Sequence, residues 1–279
     1  MKAINDSWLV GTSSGIYSPD HNGEWKRLGA YEFRITAFDR RKGRVLAATG
    51  SGLWEVREDR WIQRHDETLT EVMDVIDDGE PMIVASAYGL AFGNTEASGR
   101  TAWRWMSDDL TVNQRFANAI TKTGDRILVG TEDGVLIYDA DDNWLTSSLV
   151  GIPVRSLIKW GQAIYAGSDD GVWRSQSGQD WERVSDRLPV YALASAGSSL
   201  LAGTENGLCR SEDGHDWRAA GLSSMRVSAV EADPDDDGKW YAGGSPGGLW
   251  MTKDEGKSWL GIPEIGNDVE VISAPGGTS

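Results

Sequence analysis

The chain predicts an all-β fold: a seven-bladed propeller of four-stranded antiparallel blades, closed by its own C-terminal strand. Three observations carry that prediction. One pattern recurs seven times, a short apolar strand ending in Gly-Thr or similar, a two- or three-residue turn, then glycine and a second apolar strand. It reads LVGTSSGIY, LAATGSGLW, IVASAYGLA, LVGTEDGVL, YAGSDDGVW, LAGTENGLC and YAGGSPGGLW. The second-strand glycines, Gly15, Gly52, Gly89, Gly134, Gly171, Gly207 and Gly248, are spaced by 37, 37, 45, 37, 36 and 41 residues, the length of one four-stranded blade. The third observation is that the chain begins inside one copy and ends on a strand, DVEVISA, that has no blade of its own.

Let the strands of a blade be A to D from the axis outward. The repeated hairpin supplies B and C, and its glycine suits a turn that needs positive φ. Strand D carries a tryptophan in every copy: Trp25, Trp61, Trp103 or Trp105, Trp144, Trp181, Trp217 and Trp259. Strand A of the next copy follows as RITAF, VRSLI, VYALA or RVSAV, rich in the β-branched residues of buried strands. The first blade starts at its B strand, SWLVGT, so residues 268–274 are expected to supply its missing A strand and remove an open sheet edge. Residues 1–279 then form a single domain with no linker.

Composition narrows the function classes. A net charge of −16 opposes the basic footprint that nucleic acid or anionic lipid requires. The cations are 19 arginines and 8 lysines, a balance that resembles the acidic, lysine-poor proteins of salt-adapted archaea. Cys209 stands alone, so neither an internal disulfide nor a thiolate zinc site can form. No leader-like or membrane-length apolar run is present, so the expectation is a cytoplasmic monomer with no cofactor. His21, His65 and His215 fall in separate blades without zinc or triad spacing. Asp233, Asp235, Asp237 and Gly238 match the opening of a calcium loop, but Gly244 stands where the bidentate glutamate belongs, so the stretch reads as a solvated acidic turn.

The pattern resembles the BNR (Asp-box) repeat propellers. Their Ser-x-Asp-x-Gly-x-x-Trp consensus is approached by SPDHNGEW, SQSGQDW, SEDGHDW and TKDEGKSW, and EADPDDDGKWYAGG is similar to the DP-rich link before a YAGT strand. The chain is also similar to uncharacterised haloarchaeal proteins described as WD40/YVTN/BNR-like, a likeness that implies a fold and no activity. Ser177 replaces the box aspartate in one copy, and blades 2, 3 and 4 retain little beyond the tryptophan, so the box reads as a structural turn.

Function is expected where the blades differ. Aligning the A strands puts Arg34, Val72, Ala117, Val154, Val190, Arg226 and Asp268 in a first column, with Arg155 and Tyr191 one residue later. The face shared by the D-to-A loops and B-to-C turns would present Tyr31, Arg34, Arg115, Arg155, Arg187, Tyr191 and Arg226, ringed by Glu132, Asp133, Asp169, Asp170 and Glu205. Two readings stand open: arginines that hold an anionic ligand bidentately, or arginines that pair with neighbouring acids. The long connection from Met106 to Asn118 is a further candidate for grafted binding. The expectation is a non-enzymatic scaffold that binds a protein, peptide or small anionic ligand at this face. The alternative is a carbohydrate-active hydrolase, since the sialidase likeness implies an arginine triad with a tyrosine nucleophile.

Overall fold

The computed structural model describes residues 4–41, 43–79 and 81–276. They form seven four-stranded antiparallel sheets, as the repeats require. The A strands are Val269–Ser273, Ile35–Arg41, Val72–Ile76, Ala117–Thr123, Val154–Trp160, Val190–Ala196 and Arg226–Asp233, for blades 1 to 7 in turn.

The ring closes as expected. Val269–Ser273 pairs antiparallel with Leu9–Thr12, placing Leu9 opposite Ser273 and Thr12 opposite Val269. Arg40, on the neighbouring A strand and only 4% exposed, grips both ends of the chain. It donates to the carbonyls of Asn5 (3.3 Å), Ser7 (2.7 Å) and Ser273 (3.2 Å).

Two local devices explain the repeated Gly-Thr. The Thr12 hydroxyl donates to the Gly15 carbonyl (2.9 Å) and accepts from the Ser14 amide (3.1 Å), closing the B-to-C turn from within. Thr49, Thr131, Ser168 and Thr204 do the same in their blades. In five blades a glycine at this point of strand B makes room for the next blade. A Cβ on Gly11 would stand 2.7 Å from that of Ile35, and one on Gly243 would stand 2.6 Å from that of Val269. Alanine stands at the equivalent positions, Ala48 and Ala85, of blades 2 and 3. Ala85 packs in one buried cluster with Ala117, a smaller incoming residue.

The outer strands are tied by their tryptophans. The indole N–H of Trp103 donates to the Arg64 carbonyl (2.9 Å), that of Trp144 to Met106 (2.6 Å) and that of Trp259 to Ala220 (2.9 Å). Each bond reaches from one blade to the exit of the blade before it.

The C-to-D turns are closed by their own side chains. Asp213 accepts the amides of His215 and Asp216, both at 2.8 Å, and the Ser211 hydroxyl at 3.0 Å. Asp254 accepts the amide and hydroxyl of Ser258, and Asp20 accepts the amides of Asn22 and Glu24. Where Ser177 replaces the aspartate, its hydroxyl still accepts the Gln179 amide (3.2 Å). Blade 4 keeps more than its tryptophan: Asp139 accepts the amides of Asp141 (3.0 Å) and Asn143 (2.8 Å), a turn that the box spacing hides.

Candidate functional site

The mouth of the channel is shaped by one backbone irregularity repeated seven times. Each A strand carries a β-bulge near its start, opposite the Gly-Thr of strand B. A bulge adds one residue and re-aims its side chain. The added residues are Glu270, Thr36, Met73, Asn118, Arg155, Tyr191 and Ser228, from blade 1 to blade 7. The register corrects the sequence column in three blades. The equivalents of Val72, Ala117, Val154 and Val190 in the other three blades are Ile35, Val227 and Val269, so Arg34, Arg226 and Asp268 stand one residue earlier, at the strand entrance. The apolar residue of the column is the one that packs on the preceding blade's glycine, which fixes the true alignment.

Arg155 and Tyr191 occupy bulge positions. Arg155 donates to both oxygens of Asp169 (3.0 and 2.9 Å) and, across the blade boundary, to Glu132. Burial works against its charge, and the bonds to Asp169 and Glu132 outweigh it, holding the guanidinium above its ordinary pKa. Asn118 donates to the same Glu132 (3.0 Å) and to the Val154 carbonyl (3.1 Å). Tyr191 donates its phenol to Glu205 (2.7 Å); burial and then this bond raise its pKa. The three acids follow the turn Thr or Ser of their blades, so one backbone plan places all three.

The remaining predicted residues separate. Arg34 pairs with Glu270 (3.1 Å), and Arg187 lies 3.4 Å from Asp170. Arg115 turns into its own loop, donating to the carbonyls of Leu110 (2.9 Å) and Asp108. Tyr31 stands in an aromatic stack with Phe33, Trp54 and Trp61, ring centroids 5.1 to 5.4 Å away. Arg226 alone among these arginines makes neither an ion pair nor a carbonyl hydrogen bond within the described residues. Its guanidinium lies 5.3 Å over the Tyr191 ring. Beside it a depression of about 420 Å³ opens between blades 6 and 7, lined by Glu205, Asn206, Met225, Arg226, Ser245 and Pro246.

Two channel carboxyls were not singled out from the sequence. Burial raises Asp74 to about 7, against the pull of the Ile120 and Val75 amides, and raises Glu231 to about 8. No spacing signals them, because the surroundings that hold their protons come from other blades. The acidic loop does not gather into a metal site. Asp233 accepts Lys239 (2.7 Å) and the Asp235 amide (3.0 Å). Among the described residues, no three His, Cys, Asp or Glu side chains are grouped to hold a metal ion.

Comparisons bear on the fold. A family described as the DUF6242 beta propeller domain matches residues 100–236. No curated protein matches the chain. Solved structures match at the level of architecture. The extracellular domain of a B. thetaiotaomicron protein described as a one component system is 16% identical, with a TM-score of 0.63 over 91% of this chain and 44% of its own. The β-propeller domain of Cps50 (Swd1) from Myceliophteria thermophila is 17% identical, with a TM-score of 0.64 over 88% and 92%. An ancestral GH74 enzyme is 18% identical, with a TM-score of 0.62 over 88% and 37%. The chain thus spans less than half the length of the first and third of these. At such identities the likeness is one of fold.

Proposed function

We propose that the protein is a non-catalytic propeller scaffold whose mouth face binds a protein, peptide or small anionic ligand, with the anionic group meeting Arg226 beside Tyr191. One observation carries this. Arg34, Arg155 and Arg187 pair with neighbouring carboxylates and the donors of Arg115 are taken up by carbonyls of its own loop, which leaves Arg226 as the arginine of this set with neither, beside a depression of about 420 Å³. Arg226 rests on the Tyr191 ring and bonds its phenol, which holds the guanidinium in place while its five donors leave others for a carboxylate or phosphate. The neutralised network sets the shape of the remaining face and gives the ligand little charge to recognise there.

Supporting an Asp-box assignment are the amide-accepting Asp20, Asp213 and Asp254. The charge of −16 supports a salt-adapted, cytoplasmic setting, and we take the scaffold to act as a monomer. The test compares wild type with Arg226→Ala and with an Arg34→Ala/Arg155→Ala/Arg226→Ala variant, each used to capture partners from source-cell lysate at high salt. The single change is expected to abolish capture of the wild-type partner. Retention of every partner by the triple variant overturns the proposal. A carbohydrate-active hydrolase is the competing function, and turnover of a glycoside panel that survives Arg226→Ala would favour it.

A further inference from the structure

We infer that the arc of the mouth face over blades 3 and 4 is a docking surface for a basic, apolar segment of a partner protein. This rests on the scaffold function and gives the partner's chemistry at a second point. Tyr88, in the B-to-C turn of blade 3, is 56% exposed, and Val112 and Phe116, in the connection 106–116, are 82% and 37% exposed. These residues adjoin one another. A Cβ on Gly89 would stand 3.8 Å from the Arg115 carbonyl, and the Phe116 carbonyl accepts the Glu132 amide (3.2 Å) from the next blade's turn.

The exposure is built rather than frayed. Arg115 closes the connection onto the carbonyls of Leu110 and Asp108, and the Thr111 amide donates to the Gln114 side chain (3.2 Å). The Leu90 amide donates to the Ser107 hydroxyl (2.9 Å), fixing the connection to the blade beneath. A loop whose polar groups are satisfied internally while its apolar side chains face water is preorganised for contact. By contrast, the matching connection between blades 4 and 5 needs only residues 151–153.

Charge selects the occupant. Glu71, Asp108 and Asp109 are exposed around this patch and make no ion pair among the described residues. The described lysines, Lys26, Lys122, Lys159, Lys239, Lys253 and Lys257, all lie towards the A-to-B and C-to-D turns of the opposite face. Arg115, bonded to the Asp108 carbonyl, offsets one of these three charges, and an apolar centre with the net acidic rim that remains is complementary to apolar side chains flanked by Lys or Arg.

The probe is a fluorescein-labelled Leu/Lys amphipathic peptide about four helical turns long. Its control has every lysine replaced by glutamate. Anisotropy is read in about 0.3 M salt, where screening suppresses diffuse attraction. Wild type is expected to bind the lysine peptide and not the glutamate peptide. Tyr88→Ser/Phe116→Ser should weaken binding about tenfold or more. Val112→Ser, at a residue with little packing to lose, should weaken it as well and serves if the double variant is unstable. Asp213→Ala, in a turn of the opposite face, should leave peptide affinity unchanged. Equal binding of the two peptides, or equal affinity of wild type and the Tyr88/Phe116 and Val112 variants, overturns the docking surface. Loss on Asp213→Ala alone overturns it too and leaves the scaffold function, read separately by capture with Arg226→Ala, standing.

Discussion

The two faces of the disc meet opposite demands. On the face of the C-to-D turns, Asp20, Asp139, Asp213 and Asp254 do one job, accepting the amides of a tight turn. On the mouth face, one backbone bulge recurs in all seven blades and carries seven different side chains, from Met73 to Arg155 to Glu270. Where the backbone dictates the side chain, the blades repeat it. Three of these side chains still serve the fold, Thr36, Asn118 and Ser228 each donating to a carbonyl of the next blade's inner strand, whereas Glu270, Arg155 and Tyr191 turn to charged partners at the mouth.

The harshest test removes the ring that holds both faces. Deleting residues 268–279 strips blade 1 of its inner strand, removing the fully buried Val269 and the nearly buried Ile272 and exposing Val10 and Ala229 of the same buried cluster. Melting is expected to fall by roughly 10 °C or more in calorimetry. An unchanged value would mean that closure supports neither face. Gly243→Val is next, because the added atoms meet Val269 with no room to relax; a loss of about 2–3 kcal/mol in denaturant unfolding is expected. Ala85→Gly, facing the smaller Ala117, should cost about 1 kcal/mol or less. Similar losses at the two sites would break the size-matching between blades.

The channel between the faces gives a pH signature. Glu231 is raised from the ordinary value of about 4 to about 8, so the folded chain holds a proton that the unfolded chain releases. Its contribution is fully present below about 4 and is lost as pH climbs to about 8. Wild-type melting should therefore decline from pH 5 to pH 8 by more than that of Glu231→Gln. A variant with the same slope as wild type would remove Glu231 from the account.

The smallest effects on stability separate the faces most cleanly. Asp213 is lowered to about 2 by the Asp216 and His215 amides, so its contribution is present above the usual carboxylate value and is lost as pH falls towards 2. Asp213→Ala should lower melting slightly at neutral pH and leave partner capture intact. Arg226→Ala should change stability by less than about 0.5 kcal/mol while abolishing capture. The reverse outcome, with Asp213 required for binding and Arg226 not, would exchange the roles of the two faces.

Much of this was legible in the chain. The seven copies, the turn glycines, the D-strand tryptophans and the borrowed closing strand all follow from spacing, because each solves a local problem that every blade shares. Arg155 and Tyr191 were placed one residue after the apolar column, which is where the bulges put them. Only the tertiary structure placed Arg34 and Arg226 one residue outside that column, since a bulge belongs to the pairing of two strands and leaves no mark on either alone. It alone joined Arg34 to Glu270, 236 residues away, and Arg155 to Glu132 across a blade boundary. The upward pKa shifts of Asp74 and Glu231 and the exposure of Tyr88 and Val112 were likewise decided by surroundings drawn from several blades. Burial and charge pairing are properties of the assembled ring, whereas turns and strands are properties of the nearby chain.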